Sequence, residues 1–256
     1  MDVKNTRIRL DRLLVDRGIS TTRERARALI MSGAVIVGDY RVDKPGSLVS
    51  WSSNIRIRGD DNPYVSRGGL KLRGALLTFG ICVEGLVVLD VGASTGGFTD
   101  CFLQEGARRV YALDCGYGQL AWKLRKDKRV TIIERTNIRY FDGTGIDNGI
   151  DMAAIDTSFI SLKLVIPPVI KLIKDSATIL ALIKPQFEVG QKDVGKGGVV
   201  RNHDLQRKIV EEIVAFCRGL DLEVIGTCES PLLGPAGNRE FFIYAKKSSL
   251  SSYNGR

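Results

Sequence analysis

The segment LDVGASTGGFTD, residues 89–100, joins a β-like apolar run (LVVLD, 86–90) to a helical pattern running from Thr99 to Glu105. A strand that turns through glycines into a helix brings backbone N–H groups close to a ligand, because no Cβ stands in the way. Gly92, Gly96 and Gly97 are spaced G-x-x-x-G-G. That is neither the dinucleotide G-x-G-x-x-G nor a P-loop, which would end in Gly-Lys-Ser/Thr. S-adenosylmethionine fits better, having no phosphate to cradle and needing a close backbone around its amino-acid and ribose portions. Asp114 ends the next β-like run (RVYALD, 109–114), the position from which a carboxylate accepts hydrogen bonds from ribose hydroxyls. The plain alternative is a strand-to-helix turn that needs glycine only for packing, and Asp114 at the next strand end weighs against it.

The end of the fourth β-like run reads Asp156-Thr157-Ser158-Phe159. Methyl transfer to an amino group of a base usually goes with an acid or Asn followed by Pro-Pro-aromatic at this point, and transfer to cytosine carbon with Pro-Cys. Neither is present, which favours a hydroxyl acceptor. Cys82, Cys101, Cys115, Cys217 and Cys228 are odd in number and contain no C-x-x-C pair, and His203 is the single histidine. No metal site is expected from such a set, and the thiols read as free and structural. His203 lies in the polar stretch RNHD, which resembles a helix N-cap more than a hydrolytic triad.

These residues need a scaffold, and 256 residues with 44% hydrophobic and 26% charged side chains are enough for one large domain, or a medium one plus a small one. No apolar run approaches the ~18 residues of a membrane span, and the N-terminus lacks a signal-peptide core, so a soluble, cytoplasmic protein is expected. Further β-like runs lie at 130–134, 151–156 and 178–184, with helical patterns at 119–126 and 162–174. Near-continuous apolar strands separated by crossovers predict an α/β fold, a mostly parallel sheet covered on both faces. A helix at 204–217 and two closing runs, 222–228 and 240–247, predict an antiparallel pair at one edge. The residues from 248 to 256 read as a disordered tail.

The charge is uneven. The chain carries +9, and residues 1–58 alone hold a net +6, with ten arginines against two lysines. Thr21 and Glu24 have capping-box spacing and open a helix to Met31, on which Thr22, Ala26, Leu29 and Ile30 form an inward stripe while Arg23, Arg25 and Arg27 flank it. With a short helix at 10–16 and β-like runs at 35–37 and 55–57, a small α+β domain is expected over residues 1–60, followed by a linker at 61–66 and the larger domain at 67–247. A merely solvated basic face is the plain alternative, but the excess of arginine over lysine favours contact with phosphate and RNA edges, which the guanidinium fork suits.

The ordered set YVSRGGLKL, LDVGASTGGFTD, DCGYGQLAWKLR, AAIDTSFISL, IKPQFEVG, GKGGVVR and NREFFIYAK closely resembles the haemolysin A-type (TlyA-like) ribosomal RNA methyltransferases, from about Arg9 to Lys246. Their catalytic domain is similar to that of the FtsJ-type 2′-O-methyltransferases, with a Rossmann-like sheet, and their N-terminal domain to the RNA-binding module of small-subunit ribosomal protein four. The resemblance implies methyl transfer from S-adenosylmethionine to a ribose 2′-hydroxyl, of a cytidine, in ribosomal RNA or ribosomal subunits. It implies a Lys-Asp-Lys-Glu tetrad at Lys71, Asp156, Lys184 and Glu240, with Lys184 as base, Lys71 and Glu240 positioning the hydroxyl, and Asp156 orienting the lysine and bordering the cofactor. The implied cofactor set is Asp90, Gly92, Ala93, Ser94, Gly96, Gly97, Phe98, Asp114, Asn137 and Asp156. The RNA set is Arg9, Arg12, Arg23, Arg25, Arg27 and Arg67. Cys115 and Thr157 depart from the family pattern, where a small apolar residue is expected; neither belongs to the tetrad. The loop from Gly190 to Arg201 is a lid over RNA or a long surface loop. Two other functions remain open at this point: a non-catalytic ribosome assembly factor, and the membrane-lytic activity that the family name suggests.

Overall fold

The structure, a computed structural model, describes residues 7–57, 62–146, 149–190, 195, 197–234 and 237–247. The expected tail, residues 58–61 before the larger domain, and most of the stretch from 191 to 196 lie outside the described residues. The chain divides into two compact units, Met1–Asp61 and Asn62–Arg256.

The first unit runs β1 (Arg7–Arg9), α1 (Leu10–Asp16), α2 (Arg23–Met31), β2 (Val35–Val37), β3 (Tyr40–Arg41), β4 (Leu48–Ser50) and β5 (Ile55–Ile57). Strand β1 pairs antiparallel with β4, and β2 lies between β3 and β5 in a second small antiparallel sheet. Leu10 and Leu14 of α1, Ala26 and Ile30 of α2 and Val35 of β2 form its core. The i, i+4 spacing in each helix is what brings those pairs onto one face. The helix cap is a correction to the sequence reading. Thr22, not Thr21, is the N-cap, with its side chain accepting from Arg25 N–H, and Thr22 is exposed, outside the inward stripe. Arg17 is spent on architecture, donating to the carbonyls of Trp51 and Ser53.

The second unit holds α3 (Gly68–Phe79), β6 (Val87–Val91), α4 (Gly97–Gln104), β7 (Arg109–Leu113), α5 (Trp122–Arg125), β8 (Val130–Ile133), β9 (Ile150–Ile155), α6 (Leu162–Leu172), β10 (Ile173–Ile183), α7 (Pro185–Glu188), α8 (His203–Arg218), β11 (Leu222–Glu229) and β12 (Phe241–Lys247). Its seven strands are ordered β11-β12-β10-β9-β6-β7-β8. Strands β8, β7, β6, β9 and β10 are parallel, and β12 runs antiparallel between β10 and β11. Alternate residues of each strand feed opposite faces. Val87, Leu89 and Val91 pack with α6 and α8, while Val88, Val110 and Ala112 pack with α3, α4 and α5. The chain proceeds from β6 to β7 on one side and later returns to β9 on the other, so the connections diverge between the carboxyl ends of β6 and β9. Open α/β sheets hold ligands at such a switch point.

Candidate active site

Both strand ends at the switch point are fixed by backbone bonds. Asp156 N–H donates to Val91 C=O at 2.9 Å, and the N–H groups of Gly92 and Ala93 both donate to Leu113 C=O, at 2.8 and 3.1 Å. Gly92 has φ +89°, and a Cβ there would stand 2.5 Å from the Asp156 carbonyl oxygen, so only glycine lets the two strand ends close. Beyond them lies a cavity of about 270 Å³ lined by Ser66, Arg67, Gly68, Lys71, Gly92, Ala93, Ser94, Thr95, Gly97, Phe98, Asp156, Leu233 and Gly234. Ala93 and Ser94 also line a second, smaller recess, with Ala112, Asp114, Gly116, Gln119, Leu120, Ile132 and Glu134. Ala93 and Ser94 are common to both linings, so the two recesses adjoin at the carboxyl ends of β6 and β7.

The tetrad forms two ion pairs. Lys184 Nζ lies 2.6 Å from Asp156 Oδ1 and donates to Ser158 Oγ at 3.0 Å. Lys71 Nζ donates to Glu240 Oε2 at 2.5 Å. Lys71, Lys184 and Glu240 are all buried, at 8, 8 and 1% exposure. Lys71 and Asp156 line the large cavity, one from each pair. Local sequence explains how each group is held. Pro185 follows Lys184, which excludes helical backbone at the lysine and opens α7 at once, so Lys184 stands in extended conformation at the tip of β10. Glu240 Oε1 is buried with no hydrogen-bond partner, and Gly234 leaves room for it: a Cβ at 234 would stand 2.0 Å from that oxygen.

The carboxylates around the glycine turn differ in role. Asp114 accepts from Ser94 N–H at 2.8 Å and Gly116 N–H at 2.6 Å, which fixes it at the mouth of the smaller recess with lone pairs to spare for hydroxyl donors. Asp90 lines neither cavity. It is fully buried beneath the turn, accepts from Thr99 Oγ1 at 2.6 Å through Oδ2, and leaves Oδ1 without a partner. Burial pushes its carboxyl up to about 7, against the Thr99 hydrogen bonds and with repulsion from Asp156 and Asp114 adding to the rise. Between the unfolded and folded values the native state binds the extra proton, so stability falls as pH rises. The expected result is a urea midpoint that declines from about pH 4.5 to about pH 7.5, with a clearly flatter profile in Asp90→Asn; equal profiles in the two chains would contradict it.

Gly96 also departs from its expected use. It has φ +95°, but a Cβ there would meet Leu124 Cδ1 at 2.2 Å and Leu120 Cδ1 at 2.8 Å, so it makes room for the Leu120–Leu124 segment and lines neither cavity. Asn137 is exposed, lines neither cavity, and spends its side-chain oxygen on Arg139 N–H at 3.1 Å. Arg67 is at the rim of the large cavity, whereas Arg9, Arg12, Arg23, Arg25 and Arg27 belong to the first unit. The structure adds residues that the sequence did not single out. Ser158 holds Lys184, Gln119 and Glu134 line the smaller recess, and Phe159 stands 90% exposed at φ +62° with its ring 4.9 Å from that of Phe187. Glu188 braces this corner, accepting from Ser161 Oγ at 2.6 Å and Leu162 N–H at 2.8 Å.

Residues 64–247 match the model of the FtsJ-like methyltransferases, and residues 8–53 that of the S4 domain. The chain belongs to the FtsJ-like methyltransferase family. Its cofactor is S-adenosylmethionine, and the residues fit one: a glycine turn at the switch point, an acid with spare acceptors at the next strand end, and a cavity bordered by both. The FtsJ-like chain is 43% identical over 241 residues to the 16S/23S rRNA (cytidine-2′-O)-methyltransferase TlyA of Mycobacterium tuberculosis, covering 94% of this chain and 90% of that one. It is 37% identical to Hemolysin A of Brachyspira hyodysenteriae, with 93% and 99% covered. A solved hemolysin-type chain from Streptococcus thermophilus is 41% identical, with a TM-score of 0.75 over 95% of this chain and 89% of that one. Among the described residues of this FtsJ-like methyltransferase no helix is long and apolar enough to cross a membrane.

Proposed function

We propose that this enzyme methylates the ribose 2′-hydroxyl of a cytidine in ribosomal RNA, with Lys184 accepting the hydroxyl proton. The observation that carries this reading is the pair of lysine–carboxylate contacts, at 2.6 Å for Lys184–Asp156 and 2.5 Å for Lys71–Glu240, each of which contributes one member, Asp156 or Lys71, to the lining of one cavity. A ribose hydroxyl is a weak acid and a poor nucleophile, so its proton must leave as the oxygen attacks. S-adenosylmethionine, when bound, supplies an electrophilic methyl on a positively charged sulfur. Lysine accepts a proton only as the neutral amine; a nearby cation favours that form and a carboxylate opposes it while fixing its direction. Asp156 and Ser158 aim Lys184 Nζ, Lys71 Nζ holds the hydroxyl oxygen, and Glu240 fixes Lys71.

Phe159, at the same corner, offers an exposed ring on which the base of the target nucleotide stacks. Phe159→Ala should weaken productive RNA engagement by roughly 5- to 150-fold, the ~1–3 kcal/mol of one stacked base, while leaving cofactor affinity unchanged; undiminished engagement would remove the stacking role. The site of action is the cytoplasm, with ribosomal RNA or ribosomal subunits as partner. The test of the reaction class is transfer of labelled methyl from S-adenosylmethionine to ribosomal RNA in an alkali-resistant linkage, which a 2′-O-methyl confers and a base methyl does not.

A further inference from the structure

We propose that Asp11 is the positioning residue of a phosphate clamp made by Arg9 and Arg23, so that this acidic side chain raises the RNA affinity of a basic domain. The inference rests on the reading of the first unit as RNA-binding. By net charge alone an acid there works against RNA, and a dispensable one would be found solvated. Asp11 is instead 0% exposed, the only buried charged side chain among the described residues of that unit.

Its geometry explains the burial. Arg9 Nε donates to Asp11 Oδ1 and Arg9 Nη2 to Oδ2, both at 3.0 Å, a planar fork on a planar carboxylate. Arg23 Nε, from the first turn of α2, donates to the same Oδ2 at 3.2 Å. Asp11 is itself anchored, its N–H donating to Pro45 C=O at 3.1 Å. One carboxylate therefore gathers two guanidiniums from separate elements and takes them by their inner edges. A guanidinium has five donors in a rigid plane, so gripping the inner edge turns the remaining N–H groups outward. The arginine side chains are 48 and 57% exposed, while the carboxylate between them is 1% exposed. The Arg9 hydrogen bond, ahead of the Arg23 contacts, holds the Asp11 carboxyl down at about 2, against its burial, so the arrangement persists throughout the physiological range. Two long side chains are thus ordered before RNA arrives. The Arg56–Asp39 pair differs: at 3.5 Å, with side chains 59 and 94% exposed, it is a solvated contact that orders little.

The test is a double-mutant cycle on the full chain, read as affinity for a labelled RNA stem-loop at fixed moderate salt. Asp11→Asn and Asp39→Asn each remove one negative charge, so charge alone predicts equal tightening of RNA binding. Positioning predicts instead that Asp39→Asn binds as well as or better than the parent while Asp11→Asn binds roughly tenfold more weakly, the scale of freeing two long side chains. In an Arg9→Ala, Arg23→Ala chain, Asp11→Asn should add no further loss. An Asp11→Asn chain that binds as tightly as Asp39→Asn overturns the clamp. So does an equal loss in the arginine-free background, which marks a purely structural role. If removing both arginines leaves affinity untouched, the clamp falls; if removing residues 1–60 leaves it untouched too, the RNA-binding reading of the unit falls with it.

Discussion

Lys184→Ala should keep its fold and its affinity for S-adenosylmethionine yet lose on the order of 10² to 10⁴ in the rate of methyl transfer, the range of a positioned acid–base group. The fold should survive because Asp156, the partner left behind, lines the cavity, so water can enter the space the lysine vacates and reach the carboxylate. Lys184→Arg should be nearly as poor, since a guanidinium keeps its proton and can hold the hydroxyl without deprotonating it. The arginine variant therefore separates a base from an electrostatic anchor. Single-turnover rates with RNA and cofactor saturating are the measurement, because they exclude changes in binding and product release. An arginine enzyme with most of its activity would assign Lys184 to charge alone.

The second large effect concerns the first unit. It has its own core around Leu10, Leu14, Ala26, Ile30 and Val35, and the sheet of the second unit is filled by that unit's residues alone. Removing residues 1–60 should leave a folded methyltransferase that has lost most of its RNA affinity. Phosphate contacts release counterions, so with about five contacts the intact chain should weaken on the order of 10² to 10³ between ~50 and ~200 mM salt. The truncated chain should show a much shallower slope. Equal affinity and equal slope in both chains would give the basic unit another purpose.

The sheet was legible because its strands are near-continuous apolar runs: β6, β7, β8, β9, β11 and β12 begin and end within a residue or so of their sequence patterns, and the antiparallel edge followed from a short connection. Helix α3 was not, since it opens on Gly68-Gly69 with no side-chain cap, two weak helix formers where a start signal would stand. Strands β1 (RIR), β3 (YR) and β4 (LVS) each hold at most one β-branched residue, and so do not stand out as the equally short VIV of β2 and IRI of β5 do. The pattern at 119–126 contracts to a four-residue helix, and β10 starts early, at Ile173, through an irregularity before Thr178. In the site, the glycine turn and Asp114 could be read locally. The Lys71–Glu240 contact joins residues 169 apart, so only the family resemblance pointed to it. Phe159 stands exposed on a left-handed backbone, with the Phe187 ring 4.9 Å from its own, and neither feature is encoded in the local sequence.

The central claim, methyl transfer to ribose, is tested most directly by mass mapping of ribosomal RNA incubated with S-adenosylmethionine and this enzyme. Nucleosides from the treated RNA should carry an added methyl on the ribose of a cytidine, absent without enzyme and formed roughly 10² to 10⁴ times more slowly with Lys184→Ala. A methyl found on a base, or RNA of unchanged mass under conditions where the enzyme binds both cofactor and RNA, would contradict it.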